Sequence, residues 1–170
     1  MNRGGGIRVF IRFIGLLLLQ GLILSKLDLF GFINPMAYVA FVFLHPFKKN
    51  LTFFLIPCFL LGLGIDFFSD SGGIHASSLL LIAAVRVHAL SFFSGKHDIE
   101  HQTISIYDIP PAGRLYFMFA LTILHHFAFF SLTYFSVGSI LDILYDTMVT
   151  SAATIVIIYL GLTIFNGRRK

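Results

Sequence analysis

Ile33-Asn34-Pro35-Met36-Ala37-Tyr38-Val39-Ala40-Phe41-Val42-Phe43-Leu44-His45-Pro46-Phe47 is the stretch that decides the architecture. It is apolar enough to lie in lipid, but it falls short of the roughly 20 residues that a spanning helix needs, and prolines stand near both of its ends. It reads either as a transmembrane helix or as a re-entrant or interfacial segment. Five further apolar blocks surround it, at about 9–24, 51–68, 75–93, 113–137 and 147–165, the third block of the chain carrying Pro57. The loops are short except for 94–112, where Pro110-Pro111 is a helix stop.

Charge decides between five and six crossings. If 33–47 crosses, one side receives Arg3, Arg8, Arg12, Lys48, Lys49, Lys96, Arg114, Arg168, Arg169 and Lys170. The other side receives Lys26 with Asp28, Asp70, Asp142 and Asp146, and Arg86 stays inside a span. If the segment does not cross, this sorting collapses. Basic residues mark cytoplasmic loops, so the expectation is six transmembrane helices with both termini in the cytoplasm. No repeat, low-complexity tract or linker divides residues 1–170, which read as a single transmembrane domain.

Composition agrees. The chain is 57% hydrophobic and 12% charged, and its mean hydropathy is +0.89. A soluble domain carries about twice that charge, so a soluble enzyme domain, a disordered tail and a nucleic-acid-binding module are excluded. The net charge of +4 fits cytoplasmic loops better than a polyanion partner. The single cysteine, Cys58, rules out a disulfide within the chain and sits in an apolar run, as a small buried hydrophobe does.

Ionisable groups at membrane depth each demand a reason. Asp66, in Gly62-Leu63-Gly64-Ile65-Asp66, reads either as a helix end meeting water or as a buried carboxylate that pins the following loop through hydrogen bonds. Gly62 and Gly64 allow a second helix to approach closely. Arg86 lies about 10 Å from its helix end, counted at 1.5 Å per residue. It either snorkels to the headgroups or lines a polar cleft. The same rise sets Asp66 about 12 Å deeper than Arg86, too far for a direct ion pair. His125 and His126 are adjacent and diverge by about 100° on a helix, so they cannot chelate as an i, i+4 pair does. His97 and His101 have that spacing, but in a loop. No metal, cofactor or catalytic set is expected: the chain has no Gly-x-Ser-x-Gly elbow, His-Glu-x-x-His motif or phosphate-cradling glycine loop, and the exposed pair Asp142 and Asp146 reads as a solvated face.

The run Gly62-Leu63-Gly64-Ile65-Asp66-Phe67-Phe68-Ser69-Asp70-Ser71-Gly72-Gly73-Ile74-His75-Ala76 resembles the most recognisable segment of the rod shape-determining protein MreD family. Gly62, Asp66, Gly73 and Ala76 match the family pattern position by position. The chain's length, its six apolar blocks and its two basic ends also resemble the family. The resemblance implies a bacterial inner-membrane protein with a fold similar to the substrate-binding subunits of energy-coupling-factor vitamin transporters, and no enzymatic activity. It implies partnership with the single-pass protein MreC and, through it, with MreB, RodA and the class B transpeptidase of the elongation machinery.

Three functions follow as expectations. The first is a non-enzymatic scaffold for lateral peptidoglycan synthesis, in which Gly62, Gly64, Ala83 and Ala84 admit a partner helix while Asp66 and residues 69–75 order the outer surface. The alternative is a small-molecule-binding transporter subunit, with Arg86, His88 and His125 converging as an intramembrane polar site. A third, an intramembrane enzyme using Asp66 and a histidine, lacks a second carboxylate.

Overall fold

The computed structural model describes residues 3–27, 33–45, 52–94 and 105–166. His97, His101, Lys48, Lys49, Pro46 and Phe47 lie outside the described residues. The helices are α1 (Arg3–Leu18), α2 (Ala40–Leu44), α3 (Thr52–Ser69), α4 (Ile74–Ser94), α5 (Pro111–Tyr134) and α6 (Ile140–Asn166). Among the described residues, four helical stretches are long and apolar enough to cross a membrane: Gly6–Lys26, Ile74–Phe93, Pro111–Tyr134 and Val137–Thr163. Phe53–Ser69 is also apolar but shorter.

The largest departure from the sequence reading is the stretch quoted first. Over its described part, 33–45, it is not one continuous helix. It enters as irregular chain, makes a 3-10 turn at Ala37–Val39, and only then forms the short α2. A regular helix is unnecessary because this segment is the core: Tyr38, Val39, Phe41, Val42 and Phe43 are at most 1% exposed. The polar backbone that a spanning helix would satisfy internally is satisfied by side chains from elsewhere in the bundle. Gln20 donates to the Pro35 carbonyl, the Met36 amide donates to Thr154, and Arg12 donates to the Leu44 carbonyl at 2.8 Å.

These contacts give directions. Arg12 meets Leu44 and Gln20 meets Pro35, so 33–45 runs antiparallel to α1. A Cβ on Gly64 would meet Leu17 and one on Gly21 would meet Phe68, so α1 and α3 run parallel. α4 packs antiparallel on α3, α5 on α4 and α6 on α5. Arg8, Arg12 and Arg114 therefore share one end of the bundle, here the basic end, and Lys26, Asp70, Asp142 and Asp146 share the other, the acidic end.

Other boundaries moved less. α1 begins at Arg3, through the glycines, and ends in a π-turn at Leu19–Ile23 and a 3-10 turn at Leu24–Lys26. α5 stops at Tyr134, where Phe135 turns left-handed at φ 43°, and α6 begins at Ile140, seven residues ahead of the sequence boundary.

Candidate functional site

Asp66 and Gly62 lie one turn apart on the face of α3 that meets the start of α4. Between the two helices the chain reverses through Asp70, Gly72 and Gly73, all at positive φ. Gly73, at φ 97°, occupies a conformation that residues with a Cβ rarely adopt. Standing just before α4, it also has no side chain with which to cap that helix. Asp66 supplies the missing acceptor from the preceding helix: its carboxylate takes the His75 amide at 2.8 Å, the Ala76 amide at 2.9 Å and the Ser71 hydroxyl. Those amides are among the first-turn donors that a helix leaves unpaired, and the negative charge matches the positive end of the helix dipole. Asp66 is buried, so it is not a helix end meeting water.

Gly62 has a steric task. A Cβ there would lie 2.7 Å from the Ala76 nitrogen and 2.9 Å from the His75 carbonyl oxygen, so the α4 backbone sits where a side chain would be. Gly62, Asp66, Gly73 and Ala76 thus form one lock joining α3 to α4. This relocates the small-residue surface expected for a partner helix. Gly62 admits the chain's own α4, Gly64 faces the Leu17 side chain, and Ala83 is fully buried.

His75 carries the lock inward. Its Nδ1 lies 2.8 Å from the Tyr38 hydroxyl, and His125 Nε2 lies 2.9 Å from the same oxygen. A hydroxyl between two ring nitrogens donates to one and accepts from the other, so these two nitrogens hold one proton between them. His125 Nδ1 is buried without a partner. A buried N–H is rarely left orphaned, which favours the proton on His125 Nε2, with Tyr38 donating to His75. His126 is fixed more firmly. Its Nδ1 lies 2.8 Å from the Thr122 carbonyl and must donate, so Nε2 accepts from Thr154, which in turn accepts from the Met36 amide. The adjacent histidines diverge to different partners.

At the basic end, Arg86 neither snorkels nor lines a cleft. It is 1% exposed and donates from Nη1 to the Val42 carbonyl at 3.1 Å and the His45 carbonyl at 3.3 Å. Its guanidinium also stacks 3.4 Å from the centroid of the Phe54 ring. His88 is exposed on the surface of α4. The site expected from Arg86, His88 and His125 is therefore not assembled: Arg86 and His125 hold opposite ends of 38–45, and His88 takes no part.

Tyr38 was missed in the sequence, although a tyrosine inside an unbroken apolar run was a usable signal, since a buried hydroxyl needs a partner. So was the polar stripe of α6, where Thr147, Thr150, Ser151 and Thr154 recur at i, i+3, i+4 and i+7 and are all buried. Asp142 is exposed, and Asp146 accepts from the Tyr134 hydroxyl at 2.7 Å. The chain matches no family model, no curated protein and no solved structure.

Proposed function

We propose that this chain is a six-pass protein of the bacterial cytoplasmic membrane, both termini inside, that acts as a non-enzymatic MreD-type scaffold of cell elongation. It recruits a single-pass MreC-like partner and, through it, MreB, RodA and the class B transpeptidase. The observation that carries this reading is the α3–α4 lock. Each of the four residues on which the family resemblance rests has a physical task there: Gly62 a close approach, Asp66 a cap, Gly73 a positive φ and Ala76 a small contact. The six-pass reading is supported by α1 and α3 running parallel with 33–45 returning between them. Positive charge at one end supports cytoplasmic termini.

The test has two parts. Reporter fusions at the two termini are expected to read cytoplasmic at both. Co-expressed with the single-pass coiled-coil protein of its own genome, the full chain is expected to co-purify with it in mild detergent, and its depletion is expected to round rod-shaped cells. Termini on opposite sides overturn the architecture. A chain that purifies alone and whose loss leaves cell shape unchanged overturns the scaffold.

A further inference from the structure

The bundle is not closed. Consecutive long helices pack on one another, and α1 packs on α3, but among the described residues α1 and α6 do not form an extensive contact of that kind. Between them runs a lateral groove of about 520 Å³, walled by Gly15 of α1 and Leu19 just after it and by Ile158 and Gly161 of α6, and floored by Ala40. A Cβ on either glycine would meet nothing within 4 Å, so these two glycines, unlike Gly62, face open space.

The groove is polarised along its length. Arg12 stands at its basic end, held there by the Leu44 carbonyl. Arg8 lies one turn further out on the same face of α1 and is exposed. At 100° per residue, Arg8, Arg12, Gly15 and Leu19 fall within one narrow sector of the helix. The Arg12 guanidinium therefore stands at the mouth of an apolar channel that runs roughly 12 Å from residue 11 to residue 19, with Arg8 exposed one turn beyond it on the same face of α1. A basic pocket between transmembrane helices suits an anionic headgroup, and the apolar channel behind it suits a chain.

Size separates this occupant from a partner helix. A helix about 10 Å wide with a 5.4 Å pitch fills roughly 400 Å³ per turn, so the groove takes little more than one turn. An acyl chain is slender enough to lie along its whole length. We infer that the α1–α6 groove is a binding site for an anionic phospholipid, phosphatidylglycerol as the probe, with its phosphate at Arg8 and Arg12 and one acyl chain between Gly15 and Gly161. The site does not depend on the scaffold reading.

The experiment is native mass spectrometry of the full chain released from nanodiscs of phosphatidylglycerol mixed equally with phosphatidylcholine. Wild type is expected to retain phosphatidylglycerol, and Arg8→Gln to weaken that retention by about tenfold, the loss of one charge-assisted contact. Gly15→Leu and Gly161→Leu, which extend into open space, are expected to remove the retained lipid while leaving the thermal unfolding midpoint in detergent unchanged or higher. Equal retention of both lipids by wild type, or retention that survives both leucine variants, overturns the site. A polyprenyl phosphate that displaces phosphatidylglycerol at stoichiometric amounts overturns the choice of lipid. Leucine variants that lose the single-pass partner but keep the lipid overturn the occupant.

Discussion

Asp66 and Arg86 meet mirror-image problems at opposite ends of the bundle. Asp66 faces the amides that open α4 and accepts from them, and Arg86 faces the carbonyls that close α2 and donates to them. Each charge has the sign that its helix end favours. They differ in what their loss exposes. A carbonyl has two lone pairs and tolerates under-satisfaction, whereas a buried N–H without an acceptor is seldom tolerated. The acidic end is thus the more vulnerable, although both side chains are almost completely buried.

The comparison breaks most severely at Asp66. Asp66→Ala strands two amides and the Ser71 hydroxyl, and is expected to destabilise the fold by about 3–5 kcal/mol. Asp66→Asn keeps one acceptor oxygen and is expected to lose about half as much. Denaturant titration in detergent micelles checks both. A neutral result for alanine means that the α4 amides find another acceptor, and the lock fails as an explanation of the motif.

Arg86→Met comes next. It keeps a long apolar stem over Phe54 but removes the donor to Val42 and His45, and about 2–3 kcal/mol is the expected loss. Cys58, buried and the only thiol in the chain, is a built-in reporter one turn along α3 from Phe54. Maleimide labelling of Cys58 is expected to speed up in Arg86→Met when measured well below the unfolding midpoint. If methionine proves as stable as arginine and Cys58 labels no faster, the clamp is dispensable and the basic end is held by Arg12 alone.

The two ends also differ in how far sequence reasoning reached. The α3–α4 lock was largely legible: its donors lie 9 and 10 residues from Asp66, and a run of serine, aspartate and glycine announces the turn. The expected boundaries 51–68 and 75–93 accordingly fall within a residue of α3 and α4. The Arg86 clamp spans 41 and 44 residues, and no local pattern encodes that. The same distance explains the misreading of 33–47. Its apolarity is real, but its conformation is set by hydrogen-bond partners on α1, α4 and α6 and in the turn after α1. The early start of α6 was hidden by Asp142 and Asp146, a pair that reads as a solvated face outside the apolar block yet lies on the first turns of that helix.

Tyr38 stands at the end of 38–45 opposite the Arg86 clamp, and its replacement tests how far the α3–α4 lock reaches into the core. Tyr38→Phe keeps the ring that fills the core and deletes only the hydroxyl between His75 and His125. One neutral group making two hydrogen bonds is at stake, so the expected loss is about 1–2 kcal/mol, the smallest of the series. The informative readout is the histidine ring itself. With 15N-labelled histidine, the wild type is expected to show an Nε2–H signal from His125 and an Nδ1–H signal from His126. The variant is expected to lose or broaden the first, because the His125 ring then has no remaining hydrogen-bond partner, its Nδ1 being unpartnered already. The second is expected to persist, since Thr122 and Thr154 hold His126 without reference to Tyr38. Loss of both signals shows that one cooperative network spans the core rather than two separate arms. A penalty equal to that of Asp66→Ala shows that the hydroxyl, and not the α3–α4 lock, limits stability at the acidic end.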